Sequence, residues 1–334
     1  MTTPRKVLVV GAGVTGAAIA QLLQSVAVVW EKNNIAGGRM MARSFRKNRD
    51  VHVDIGAQYL TRFTAENDDV RTLVSQQLTP FDERLISQDA HREPSRISSR
   101  NEHTVTPNVL GFRALVQQLL DGTPTTLSRE LERFEILNES QIRVTAADGH
   151  EEIVNDLVLT CPVPNYSQRF ALAYLFDTEV ASRVRELGWT AKYVSKEEDD
   201  VVRYLCWDNL KKPISSSGDH YALLVHTTVS FGVEHMDNKE QNDEIVATVT
   251  KSVKKLLPFL PVEQDVLLHR WRISQVTSTY ADPDGKAARA VVLSHSPKIV
   301  VAGDAFLGST FDNCLLSAKA AAKIIDSSIP ASGL

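Results

Sequence analysis

The sequence predicts an α/β protein: a Rossmann-type dinucleotide-binding domain, assembled from distant stretches, with a second, mixed-sheet α+β domain. Three observations predict it. Gly11-Ala-Gly-Val-Thr-Gly16 follows a β-branched apolar run and opens a stretch with helical spacing. A second apolar run, Ala27 to Trp30, ends in Glu31, 20 residues after Gly11. Far downstream, Lys298-Ile-Val-Val-Ala-Gly-Asp304 repeats the pattern of a buried strand closing in Gly-Asp.

At 334 residues the chain is long enough for two domains with a sizeable core. A formal net charge of −4 gives no reason to expect nucleic acid or an anionic membrane as a partner. The uncharged stretch from Val7 to Trp30 carries glycines in its middle, where an export signal would be continuously apolar, so it reads as a folded element of a cytoplasmic protein. Cys161, Cys206 and Cys314 are far apart and without ligand spacing, which argues against a disulfide framework or a metal site. They read as small buried fillers.

Taken in order, Lys6 to Val10 reads as a buried parallel strand and Val14 to Gln24 as the helix that follows it. Gly11 permits the tight turn, Gly13 lets backbone approach a pyrophosphate, and Gly16 lets helix pack on strand. The helix N-terminus around Thr15 supplies N–H groups and a positive dipole end to the phosphates. Glu31, with Lys32 beside it, ends the second strand where a carboxylate accepts from adenosine ribose hydroxyls.

The segment beyond the second strand separates flavin from nicotinamide. Glu31-Lys-Asn-Asn-Ile-Ala-Gly-Gly38-Arg39 resembles the acid-to-GGR extension of flavoproteins in the amine oxidase and glutathione reductase superfamily. That resemblance implies FAD, with Gly38 giving a second backbone approach and Arg39 meeting phosphate or shielding the ribityl chain. Asp54-Ile-Gly56-Ala57-Gln58-Tyr-Leu-Thr61 corresponds to the stretch that reaches the isoalloxazine ring. Two roles are open for Gln58: a hydrogen bond near the reactive ring edge, or bracing of the loop.

Glu66 to Arg100 is polar and helical in tendency. Asp156 to Thr160 is a buried strand, ended by Pro162 and Pro164, which cannot continue it. Val201 to Trp207 and Tyr221 to Phe231 read as strands, Glu197 to Asp200 as a solvated loop, and Glu240 to Leu257 as a helix. At the far end Gly303 and Asp304 form the late motif that meets a ribityl hydroxyl in many flavoproteins. Ser309 or Thr310 caps a helix over Asp312 to Ile325, which brings Phe311 and Asn313 to the cofactor. A helix N-terminus aimed at the pyrimidine edge would stabilise the reduced ring by roughly 0.3–2 kcal/mol. The FAD-binding domain is thus expected at 1–65, 104–163 and 287–330, and the substrate domain at 66–103 and 164–286.

Over nearly its whole length the chain resembles the renalase family. GGRMM, DIGAQYLT, TCPVP, VHTTVSFGVEH, HRWRISQV and GDAFLGSTFDNCLLSA occur in the family's order. The glycine motifs are widely shared, whereas VHTTVSFGV and RWRISQV are specific because they lie in the substrate domain. The resemblance implies an oxidase that takes a hydride from 2- and 6-dihydro isomers of NAD(P) onto FAD and passes electrons to dioxygen, giving hydrogen peroxide. It also carries an alternative, a flavin-dependent catecholamine oxidase; a third reading, from another class, is a binding or signalling protein that keeps FAD structurally. Oxidation of a dihydronicotinamide needs proximity rather than a general base, and no base constellation stands out. No covalent-flavin cysteine motif is present, nor a tyrosine pair near the C-terminal flavin motif. The catalytic candidates are His226, Trp271 and Gln275. His226 is either a satisfied core group or a ring-side residue, Trp271 reads as packing, and Gln275 could hold a carboxamide. Arg270 and Arg272 are candidates for substrate phosphates.

Overall fold

The computed structural model describes residues 4–60, 64–81, 86–87, 103–105, 110–161, 165–212, 220–281, 285 and 287–329. Strand β1 (Val7–Val10), helix α1 (Val14–Leu22) and strand β2 (Ala27–Trp30) form the βαβ unit that the glycine spacing requires. An antiparallel pair follows, β3 (Ala42–Ser44) with β4 (His52–Asp54). The helical tendency expected beyond Glu66 is realised only in α2 (Asp68–Val74), after which Thr79–Phe81 (β5), Ile86–Ser87 (β6) and His103–Val105 (β7) are extended. Positions 82–85 and 88–100 lie outside the described residues. The chain continues through α3 (Arg113–Leu119), β8 (Thr125–Thr126), β9 (Leu131–Asn138), β10 (Gln141–Ala146), β11 (Glu151–Val154) and β12 (Asp156–Leu159). Pro162 and Pro164 also fall outside the described residues.

The middle of the chain builds β13 (Arg169–Asp177), α4 (Ala181–Glu186), β14 (Ala191–Tyr193), β15 (Val202–Trp207) and β16 (His220–Thr227). Then come α5 (Val229–His235), α6 (Asn242–Leu256) and β17 (Asp265–Trp271), and finally β18 (Ala290–His295), β19 (Lys298–Ala302) and α7 (Phe311–Ile325). The strand expected to run from Tyr221 to Phe231 stops at Thr227. Thr228 is extended and its hydroxyl accepts from the Phe231 amide, a cap that starts α5 at once. The loop expected to be solvated at Glu197–Asp200 turns Asp199 inward, where its carboxylate accepts from the Val201 and Val202 amides.

Two six-stranded sheets organise the fold. The first runs β18-β19-β12-β1-β2-β8, parallel except for the β18–β19 pair. Its central strand β1 has β2 on one side and β12 on the other. The chain therefore leaves β1 at a topological switch point, where open α/β sheets bind ligands. Helix α1 packs with α3 and α7 on one face, and the β9–β11 sheet covers the other through Leu8, Trp30, Ile142, Val144 and Leu157.

The second sheet runs β17-β13-β16-β15-β14-β6, antiparallel apart from β14–β6. Strand alternation splits β13 cleanly. Phe170, Leu172, Tyr174 and Phe176 pack outward under α4, α5 and α6, while Ala171, Ala173 and Leu175 join the cluster that also holds the α1 core. The outward face is sealed by an apolar core, so the inward face is the one available to a ligand. Among the described residues no helix is long and apolar enough to cross a membrane.

Candidate functional site

The site is a line of three regions running along the seam between the sheets. At the first, the loop after β1 meets the Gly37-Gly38-Arg39 loop. Gly38 has φ +53°, and a Cβ placed there would sit 3.2 Å from the Gly13 Cα. At Gly13 the nearest neighbour of a Cβ is the Gly38 Cα, at 4.0 Å. Two loops thus present bare backbone to each other. Helix α1 has no side-chain cap, so its first-turn N–H groups are free for an anion. Gly16 serves a different end: a Cβ there would lie 1.9 Å from the Gly11 oxygen, so only glycine lets α1 leave the strand at this angle. Buried Glu31 accepts from the Ala12 amide at 2.8 Å and from Asn33, which ties the acid to the loop, whereas Lys32 is exposed. Thr15 is buried, with its hydroxyl on the Cys314 thiol.

The middle region is an ion pair with supports. Arg39 donates to Asp304 through both terminal nitrogens, at 2.5 and 2.7 Å, and to the Ser274 carbonyl at 3.0 Å. The Tyr166 and Ser309 hydroxyls donate to the same carboxylate at 2.7 and 2.5 Å. Burial would raise the Asp304 pKa, but these bonds hold it below the usual carboxylate range. Two carboxylate oxygens offer about four acceptor sites, and protein donors fill them. A further hydroxyl could meet Asp304 only by replacing the Ser309 or Tyr166 hydroxyl. Beside it Gly303 has φ +146° with no heavy atom within 4 Å of a notional Cβ, an opening that a ligand can use. Thr310, not Ser309, caps α7 by accepting from the Asn313 amide, and the Asn313 side chain donates to the Leu307 carbonyl. Phe311 is buried in the first turn. Burial pushes the Cys314 thiol up to about 12, which leaves it unreactive. Cys161 departs from the expected buried filler: it is exposed where the chain leaves β12.

The third region is the loop 54–58. The Gln58 amide donates to the Asp54, Gly56 and Ala57 carbonyls, and its oxygen accepts from Lys211 at 3.0 Å. Of the two open roles, this geometry is the brace. Gly56 is required because a Cβ there would lie 1.9 Å from the Arg39 oxygen. Behind the loop lie four buried charges, Asp54, Asp208, Lys211 and Lys212. Lys211 is 2.9 Å and Lys212 2.7 Å from Asp208, and Lys212 is 3.3 Å from Asp54. Sequence reading missed the Asp208-Asn-Leu-Lys-Lys212 segment; its i, i+3 and i, i+4 spacing of opposite charges was the available signal.

Two catalytic candidates meet on this loop. The Ile55 carbonyl accepts from His226 Nε2 and from Trp271 Nε1, each at 3.0 Å. Trp271 is therefore more than packing: with His226 it fastens the second sheet to the loop. Gln275 stands apart, its side chain exposed and its backbone paired to Ser167. Arg270 and Arg272 point away from the seam, to carbonyls after α5 and to Asp237, so they are not placed for substrate phosphates. Strand register sets His269, Ala171, His226, Tyr204 and Tyr193 in one row across the inward face. The Tyr193 and Tyr204 rings lie 5.0 Å apart, and Tyr59 shares a 2.7 Å hydrogen bond with Tyr193. An aromatic wall thus exists, gathered from strands far from the C-terminal motif.

Burial lowers the His226 and His269 pKa values to about 4 from 6.5. Both rings are neutral near pH 7, and His226 carries its proton on Nε2, because a carbonyl only accepts. Between pH 6.5 and about 4 the unfolded chain binds more protons than the folded one at these sites. Stability is therefore expected to fall on acidification through that window, with no contribution from them above it. Urea midpoints measured from about pH 7.5 to about pH 4.5 test this. His226→Gln, which keeps a donor for Ile55, should flatten the slope.

Known proteins resemble this chain along most of its length. A family model described as flavin containing amine oxidoreductase matches residues 103–326, and one described as NAD(P)-binding Rossmann-like domain matches 9–76. Renalase from Mus musculus is 27% identical over 364 residues, covering 96% of this chain and 98% of that protein. Among solved structures, a putative protoporphyrinogen oxidase from Exiguobacterium sp. 255-15 superposes with TM-score 0.70 at 12% identity, covering 98% of this chain and all of that one. A redesigned putrescine oxidase gives TM-score 0.61 at 13% identity, over 96% and 99% of the two chains.

Proposed function

This chain belongs to the flavin containing amine oxidoreductase family, and from that premise we infer that it is a renalase-like oxidase of misreduced nicotinamides. Its cofactor is FAD. The substrates we assign are the 2- and 6-dihydro isomers of NAD(P), released as NAD(P)+. FAD, when bound, supplies the hydride acceptor, and dioxygen with a proton then carries the electrons away as hydrogen peroxide. We assign a cytoplasmic setting, which the three unpaired cysteines suit.

One observation carries this reading: among the described residues the distal region offers no competent base. His226 is neutral and donates to Ile55, His269 is equally weak as a base, and Lys211 is tied to Asp208 and Gln58. A reaction that abstracts a proton is poorly served there. A dihydronicotinamide loses hydride under the push of its own ring nitrogen and asks only to be held in place. In our assignment Gly11, Gly13, Thr15, Gly16 and Gly38 take the pyrophosphate and Glu31 the adenosine ribose. Arg39, Gly303, Asp304, Phe311 and Asn313 serve the ribityl and pyrimidine end. Gly56, Ala57 and Gln58 shape the ring site. His226 and Trp271 position the loop that faces the ring, and Gln275 is the candidate for the carboxamide. We divide the chain as the sequence suggests, with 1–65, 104–163 and 287–330 holding FAD.

The aromatic row of Tyr193, Tyr204 and Tyr59 favours a second reading, amine oxidation, because amine sites are walled by such rings. Anaerobic rapid mixing separates the two. The yellow protein is expected to lose its flavin absorbance with the dihydro isomers and to keep it with catecholamines. Bleaching by amines and not by the isomers would reverse the order.

A further inference from the structure

Arg169 begins β13, directly opposite Trp271 on β17. Alternation puts its side chain on the inward face with Ala171 and Ala173, the face that carries His226. Three other cations of the seam are paired with carboxylates, whereas Arg113, beside the Gly37 loop, also has a buried Nε without a partner. Arg39 has Asp304, and Lys211 and Lys212 have Asp208. Arg169 has none among the described residues: its Nε is buried without a hydrogen-bond partner. The titratable groups that act on it are the Tyr193 hydroxyl and the Arg203 guanidinium, and it acts in turn on His226. No carboxylate is among them. Desolvation lowers its pKa, and Arg203 lowers it further. A guanidinium whose Nε is buried without an acceptor carries a desolvation cost, which a bound anion would offset.

We propose that Arg169 binds the phosphate of the substrate, the one esterified to the ribose that bears the dihydronicotinamide ring. This rests on the dihydronicotinamide reading above. A guanidinium presents paired N–H donors that match phosphate oxygens and stays charged under all working conditions. Arg169 lies one strand across from Trp271, so a ring held near Trp271 and His226 leaves its ribose phosphate to that neighbour. The same cation repels a protonated amine, which sets it against catecholamine-type substrates. It also explains how the chain grips a dinucleotide without a second glycine-rich fingerprint.

The test compares donors that differ only in the phosphate: the isomeric dihydronicotinamide riboside and its 5′-mononucleotide. Both are mixed anaerobically with the FAD-loaded wild type and with Arg169→Ala. In the wild type the apparent Kd for the mononucleotide is expected to be roughly 10- to 100-fold lower. In Arg169→Ala the ratio should fall to near one. Calorimetric titration with oxidised mononucleotide and oxidised riboside should show the same loss without turnover. If Arg169→Ala does not fold with FAD, Arg169→Gln replaces it. An undiminished ratio in the folded variant overturns the proposal. If neither donor reduces the wild-type flavin, the substrate reading falls instead. Calorimetry then decides Arg169 alone: a phosphate preference that the variant loses supports it, and equal binding overturns it.

Discussion

Replacing Gly13 by valine is expected to give a folded, colourless protein. A Cβ at this position meets only the Gly38 Cα, at ordinary contact distance, so the polypeptide itself accepts the substitution. The two γ-methyls have nowhere to go except the space between the two glycine loops, over the uncapped start of α1. In the assignment proposed above, that space is where the pyrophosphate approaches backbone N–H groups. The loss of FAD affinity should exceed roughly a thousandfold, about 4 kcal/mol. The ratio of flavin to protein absorbance in the purified variant, with far-ultraviolet circular dichroism as the folding control, measures it. Gly16→Val is the contrast. Its Cβ strikes the Gly11 oxygen, so the fold and not only the cofactor should be lost. A yellow Gly13→Val protein would show that the dinucleotide lies elsewhere.

The second large effect is on stability. Asp208→Asn removes the carboxylate that both Lys211 and Lys212 contact, in a place where all partners are buried. Breaking one side of a buried ion network costs about 3–5 kcal/mol, because the remaining charges keep their desolvation penalty. Burial alone would raise the Asp208 pKa, but Lys211 and Lys212 outweigh it and hold the group at about 2. A carboxylate depressed in this way contributes stability that is fully present above its unfolded value of 3.8 and is lost as the pH falls toward 2. Urea unfolding of wild type and variant should therefore differ most at neutral pH and converge in acid. Since Lys211 also holds Gln58, the variant should bind FAD more loosely than its stability at neutral pH alone explains. A midpoint unchanged at neutral pH would refute the network's role.

The front of the fold is legible because its signals are local. Gly11 to Glu31 fixes strand, turn, helix and strand within one short window, and α7 announces itself through its cap and its alanines. What escapes is what the fold brings together from afar. Tyr59, Tyr193 and Tyr204 lie on three separate segments, and only strand register makes them neighbours. The end of β16 is hidden because Val229 and Phe231 have strand-forming side chains, while the Thr228 hydroxyl decides the matter by capping α5. His226 stands out in the sequence but its partner does not, since nothing local says that a backbone carbonyl at Ile55 will accept from it and from Trp271 alike. Asp208 with Lys211 and Lys212 has the local look of an ordinary charged surface turn. Arg169 has no motif at all, and its place beside Trp271 and His226 shows only once the strand register is known.

The order of the strands in the first sheet has a consequence for synthesis. Strand β12 lies between β1 and β19, and β19 begins only at Lys298. A nascent chain emerging from the ribosome at about 5–20 residues per second exposes the apolar edge of β12 for roughly 7–28 seconds, and the α7-facing side of α1 for roughly 15–60 seconds, before the C-terminal strand and α7 arrive. Until then the cofactor groove lacks one wall. FAD capture is therefore expected to be complete only after β19 and α7 have docked.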